Sequence, residues 1–91
     1  MPYIESKSRE TLDSFIGRLS ERIVTPGELN YVITRLTLKH VQKHGLCYSV
    51  LASVVGTLRL VCTEIEQRLV RDYEDGKINE NGDVREYLEL L

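Results

Sequence analysis

Apolar residues recur at helical spacing in three stretches of the chain. The first stretch predicts a helix at about residues 8–24, with one apolar stripe made of Leu12, Phe15, Ile16, Leu19 and Ile23. Ser6 or Ser8 is expected to cap this helix, because serine side chains accept hydrogen bonds from free backbone N–H groups. The preceding segment, MPYIESKS, is predicted to be extended.

The second stretch, TPGELNYVITRLTLKHVQKHG at residues 25–45, carries signals for both ends of a helix. Thr25 and Glu28 form a predicted capping box, with Pro26 at the first helical position. Gly45 is expected to end the helix. The apolar face of this helix is predicted to contain Leu29, Val32, Ile33, Leu36 and His40.

The third stretch predicts the longest helix, from about residue 47 to residue 75. Its apolar positions are Val50, Leu51, Val54, Val55, Leu58, Val61, Cys62, Ile65, Leu69 and Tyr73. Gly56, in the middle, suggests a close helix crossing, and Gly76 is expected to end the helix. Asn81 and Gly82 predict a turn, after which a capping box from Asp83 to Glu86 opens a short last helix.

These elements predict an all-α fold with a single helical domain over residues 1–91. We expect a three-helix bundle with a long central helix, plus a short C-terminal helix. A helix of about 27 residues is roughly 40 Å long, whereas one of 17 residues is about 25 Å. Because the shorter helices cannot cover the longer one completely, we expect a homo-oligomer, most simply a dimer.

Composition narrows the possible partners. The 91 residues are 42% hydrophobic and 29% charged, which is ordinary for a folded soluble domain. The net charge of −2 removes the usual basis for nucleic-acid binding, a strongly basic face. Two cysteines do not make a disulfide framework, and the N-terminus lacks a signal-peptide pattern. The apolar runs are short, so we expect a cytoplasmic protein that does not cross a membrane.

Three segments, MPYI, TPGELNYVITRL and YEDGKINENGDV, together resemble an uncharacterised family of short helical proteins found in bacteria and their phages. The resemblance covers most of the chain. It implies a self-standing small protein and supplies no activity, cofactor or catalytic residue. A phage connection would suggest regulation, assembly or counter-defence.

Metal chemistry has weak candidates. His40 and His44 lie four residues apart on a helix, and Cys47 follows shortly after. A zinc site needs three or four ligands, so a further group would have to come from elsewhere. We favour structural roles for these residues: a core position for His40 and a cationic helix end for His44. Cys62, on the apolar stripe, is predicted to be a small core residue. No cofactor is expected.

A binding surface for an anionic or planar ligand is the more credible site. Its candidate residues provide hydrogen bonds, positive charge and aromatic stacking, and they are Asn30, Tyr31, Thr34, Arg35, Arg59, Arg68, Tyr73 and Lys77. A solvated helix face explains the same residues without any ligand. The segment around Tyr73 and Lys77 is alternatively a rigid cap that joins the long helix to the tail.

The leading hypothesis is a non-enzymatic, homo-oligomeric interaction protein whose partner is unknown. One alternative is a phage-type sequestering protein that holds a nucleotide-like ligand between subunits. The other is a metal-dependent nucleotide phosphohydrolase, for which the candidate carboxylate pairs are Glu10 with Asp13 and Glu80 with Asp83. These acids also suit helix starts, where they complement the helix dipole.

Overall fold

The computed structural model describes residues 4–91, so the first three residues of the predicted extended start lie outside the described residues. Helices contain 84% of the described residues, and no strand occurs among them. The elements are α1 (Ser6–Ser20), α2 (Pro26–His44), α3 (Tyr48–Ile65), a π turn (Glu66–Val70), α4 (Arg71–Asn81) and α5 (Arg85–Leu90). The continuous 34-residue segment Tyr48–Asn81 is called the long helix. The all-helical class, with about four helices of which one is long, is confirmed.

Helix α1 begins earlier and ends earlier than its apolar stripe predicted. Its N-cap is Glu5, whose side chain makes no capping hydrogen bond, and both candidate caps, Ser6 and Ser8, lie inside the helix. The serine-cap prediction was therefore wrong. The Nε atom of Arg9 instead donates to the carbonyl of Ile4 at 3.1 Å, which ties the first turn to the preceding residue.

Helix α2 has the boundaries and the cap that its sequence predicted. The Glu28 N–H donates to Oγ1 of Thr25 at 3.1 Å, and Oε1 of Glu28 accepts from the Thr25 N–H at 2.9 Å. The same carboxylate oxygen accepts from the N–H of Val24 at 3.0 Å. At the other end, Gly45 has φ 101°, a backbone conformation that glycine adopts without strain. The capping box is confirmed.

The capping box makes the stability of α2 depend on pH. Hydrogen bonds from the N–H groups of Thr25 and Val24, followed by that from the Thr25 hydroxyl, hold the pKa of Glu28 below its ordinary 4.5. A carboxyl whose pKa is lower in the folded state stabilises that state above the unfolded pKa. This contribution is lost as the pH falls through the folded pKa.

We expect Glu28→Gln to reduce the slope of unfolding free energy against pH below about pH 4.5, because glutamine does not titrate. Urea unfolding of both proteins between pH 3 and pH 6 measures the slope. Glu86→Gln, in the first turn of α5, is the matched control for the change of net charge. An unchanged slope in Glu28→Gln would contradict the assignment.

The long helix continues past the predicted end at Gly76 and stops at Asn81. Gly76 is helical, and an ion pair between Lys77 and Glu80 at 3.1 Å supports the last turns. Gly82, with φ 82°, ends the helix instead. The assignment of the helix end to Gly76 was wrong: one internal glycine costs roughly 1 kcal/mol against alanine, which does not by itself end a helix.

The second predicted capping box does not form. Helix α5 begins at Arg85, and its N-cap, Val84, makes no side-chain capping bond. Asp83 Oδ1 instead accepts from the N–H of Val84 at 2.7 Å, a local bond to the next residue. Asp83 and Glu86 have the spacing of a capping box, but Asp83 is not the N-cap, because the helix begins two residues later.

The chain divides into two compact units, residues 1–54 and 55–91, and the boundary falls inside α3. Within either unit, the Cα atoms of different elements approach to 8 Å only where the π turn continues into α4. Val41 is the one buried hydrophobic residue among those described. Most large apolar side chains among the described residues are exposed. The three-helix bundle would span both units and stays a prediction.

Candidate functional site

The polar candidates on α2 pair with one another along their own helix. Thr34 Oγ1 donates to Oδ1 of Asn30 at 3.3 Å, and Arg35 Nη1 donates to the hydroxyl of Tyr31 at 2.9 Å. The guanidinium of Arg35 also lies 5.7 Å from the centroid of the Tyr31 ring. The structure thus brings these four predicted residues together, with their hydrogen-bonding groups already paired at i, i+4 spacing.

The candidates in the second unit show the same behaviour. Arg68 forms an ion pair with Glu64 at 3.1 Å, and Lys77 Nζ lies 5.5 Å from the centroid of the Tyr73 ring. These pairs are solvent-exposed, so each contributes little stability. A ligand bound by these cations would have to compete with existing partners on the same helix.

The histidine and cysteine candidates do not assemble a metal site. The rings of His40 and His44 lie 4.3 Å apart, tilted by 43°. No group of three or more His, Cys, Asp or Glu side chains comes together among residues 4–91. The core position predicted for His40 was wrong, since its side chain is exposed and neighbouring Val41 is the buried residue.

The two cysteines are free and exposed, in different electrostatic surroundings. Cys47 immediately precedes α3; a hydrogen bond with Ser49, followed by one from the Val50 N–H, lowers the pKa of its thiol. Cys62 donates to Oε1 of Glu66 at 3.0 Å, and this hydrogen bond and the charge of Glu66 raise its pKa. The core prediction for Cys62 was wrong within the single chain.

One face of the long helix carries a line of seven apolar side chains, here called the seam. It consists of Val50, Val54, Leu58, Val61, Ile65, Leu69 and Tyr73. Val50 and Val54 are half-buried, whereas the other five are exposed: Leu58 is 41% exposed, Val61 52% and Leu69 66%. At 1.5 Å per residue the seam is about 35 Å long.

The spacing of the seam is too wide for a regular α-helix. Six steps lead from Val50 to Tyr73, 23 positions later, or about 3.8 residues per step against 3.6 per turn. In an uninterrupted α-helix the seam would drift around the axis by about 140°. Val50 and Tyr73 would then face different directions.

The π turn removes most of this drift. The N–H of Arg71 donates to the carbonyl of Glu66, five residues earlier, so the turn accommodates one residue more than an α turn. One extra residue takes up about 100° of rotation, which returns Leu69 and Tyr73 to the face of Val61. The wide spacing was the sequence signal for this π turn, although we predicted an uninterrupted helix.

A depression on the seam has the arrangement of a packing hole. Val61, Glu64, Ile65 and Arg68 occupy positions i, i+3, i+4 and i+7, the four residues that surround a knob in helix–helix packing. With Leu69 they line an open space of about 380 Å³. The place is shaped to receive an apolar side chain from another helix.

A second depression, of about 440 Å³, lies in the first unit at the corner between α1 and α2. Tyr31 is the one predicted site residue that lines it. The complete lining is Leu19, Arg22, Ile23, Thr25, Gly27, Glu28, Tyr31 and Val32. The sequence pattern marked these residues only as a stripe and a cap, because the corner depends on the angle between two helices.

The family profile of a domain of unknown function, DUF6899, matches residues 1–84. The chain belongs to this family. No curated protein and no solved structure matches it. The expectation of an uncharacterised family is confirmed at this level, and the family assigns no activity to any residue of this DUF6899 chain.

By length and composition, the long helix of this DUF6899 protein could cross a membrane: its mean hydropathy reaches 1.4 and none of the apolar window is buried. This is weak support, since core helices of soluble proteins pass the same test. Arg59 and Glu64 lie within the apolar part, Tyr48–Ile65. An arginine near the centre of a membrane-spanning helix costs about 2.5–3.5 kcal/mol.

Proposed function

We propose that this DUF6899 chain is a non-enzymatic helical interaction protein that assembles with copies of itself. The observation that carries this proposal is the largely exposed seam of the long helix. Burying apolar surface is worth about 25 cal/mol per Å², so a chain with so much exposed apolar surface gains strongly from association. The assembled protein would then present its remaining surfaces to a further protein partner.

The alternative functions have less support. A nucleotide-like ligand between subunits would have to displace the pairs of Arg35 with Tyr31 and of Arg68 with Glu64. A metal-dependent phosphohydrolase needs converging carboxylates, and the described part of a single chain brings no three together. Phage association is also a proposal, and it rests on the sequence resemblance alone.

We propose the cytoplasm as the location. Two free, exposed cysteines are typical of reducing compartments. Only α3 is strongly apolar: the remainder of the long helix, Glu66–Asn81, contains five Asp or Glu and three Lys or Arg. Eight charged residues in this segment suit a helix that lies in water rather than in a bilayer.

Sedimentation velocity of the untagged protein between 1 and 100 µM tests self-assembly. We expect a dimer or larger species across this range, with circular dichroism showing a helical protein. A single monomeric species at every concentration, with the long helix intact, would overturn the proposal. Incubation with vesicles of neutral and anionic phospholipid separates a membrane-seeking helix, which would float with lipid, from a protein interface.

A further inference from the structure

The midpoint between the first and last residues of the seam lies between Val61 and Cys62. Reversing the helix about that point places six of the seven seam residues opposite one another: Val50 opposite Tyr73, Val54 opposite Leu69, and Leu58 opposite Ile65. The seventh, Val61, lies opposite Cys62, one position from an exact match. A parallel pairing would also match the seam with itself, so the direction of the partner must be decided by charge.

Charge favours opposite directions. Within the long helix, Tyr48–Ile65 has one basic and one acidic residue, while Glu66–Asn81 has three basic and five acidic residues, a net charge of −2. Parallel helices would place the two acidic segments side by side, where like charges repel. Antiparallel helices separate these segments and also pair helix dipoles of opposite direction.

The packing hole agrees with the same register. A knob that enters the hole bounded by Val61, Glu64, Ile65 and Arg68 must lie opposite the centre of this group. In the antiparallel register, Leu58 of a second copy lies opposite Ile65 and meets this hole. A two-fold axis also places Leu58 of the first copy against the hole of the second, so the contact between Leu58 and the hole occurs twice.

We propose that two copies of this chain dock along the seam as an antiparallel, two-fold dimer whose axis passes beside Val61 and Cys62. This inference rests on the proposed self-assembly. It adds that the partner is one second copy, that the two long helices run in opposite directions, and which residues lie opposite each other. The π turn is part of the interface because it keeps Leu69 and Tyr73 in line with the rest of the seam.

Paired cysteine variants test the direction and the register. In a background carrying Cys47→Ser and Cys62→Ser, one chain receives Val54→Cys and a second chain, distinguished by a short tag, receives Leu69→Cys. Under mild oxidation the mixture should give mainly the covalent heterodimer, at least tenfold more than either variant oxidised alone. A disulfide requires Cα atoms within about 7 Å, so its formation reports the register.

The outcomes separate the two proposals. Efficient cross-linking of each variant with itself would indicate a parallel dimer and overturn the inference while self-assembly stands. A dimer in sedimentation that gives no cross-link at either position would overturn the register. Monomers throughout would overturn self-assembly as well.

Discussion

Leu58→Glu is expected to dissociate the proposed dimer, weakening self-association by roughly 10²–10⁴-fold. Burying a leucine contributes about 1.5–3 kcal/mol, the proposed dimer would bury two equivalent copies, and each 1.4 kcal/mol is tenfold in affinity. A buried glutamate without a partner adds a further cost. Sedimentation equilibrium of both proteins measures the change.

Leu60→Glu is the matched control. It makes the same substitution two residues later, about 200° around the helix from Leu58 and away from the seam. Leu60 is 62% exposed in the single chain, and its variant should dimerise within about threefold of wild type. Equal loss of affinity in both variants, with helicity retained, would show that the seam is not the interface.

Deleting Gln67 is expected to leave dimerisation within about threefold of wild type. Gln67 lies inside the π turn, and removing one residue there allows the turn to become α-helical without rotating the segment beyond it. Leu69 and Tyr73 keep their place on the seam. Thermal unfolding should be unchanged or shifted upward, since regular α-helical hydrogen bonds replace a rarer geometry.

Deleting Thr57 is the contrasting variant. Here the helix is regular, so loss of one residue rotates everything beyond it by about 100°. Val50 and Val54 then no longer share a helix face with Leu58, Val61 and Ile65. Self-association should therefore fall at least 100-fold. Circular dichroism and sedimentation velocity of both deletions check the pair. If both deletion variants dimerised equally well, or if neither dimerised, the role assigned to the π turn would be contradicted.

Sequence patterns predicted the ends of a helix correctly where those ends depend on contacts between residues close in sequence. The box formed by Thr25 and Glu28 and the stop at Gly45 were predicted because the groups involved lie within one helical turn of one another. The same reasoning failed at Gly76 and Asp83. A glycine or an aspartate has only a statistical preference for a helix end: the long helix continues through Gly76, and α5 begins two residues after Asp83.

The candidate polar residues show a similar division. Their sequence positions identified Asn30 with Thr34 and Tyr31 with Arg35 as neighbours on one helical face, and the structure pairs them accordingly. The corner depression beside Arg22 could not be predicted from periodicity. It depends on how α1 turns into α2, which five intervening residues leave open.

The sequence by itself determined the helical class, the capping of α2 and the excess of apolar positions on a long helix, because these follow from residue type and spacing along one axis. Tertiary structure alone decided that His40 and Cys62 are exposed within the chain. It also decided where the π turn lies and that two seam residues, with Glu64 and Arg68, surround a hole. These features depend on the path of the backbone. That path results from the φ and ψ angles of many residues together, so no single residue specifies it.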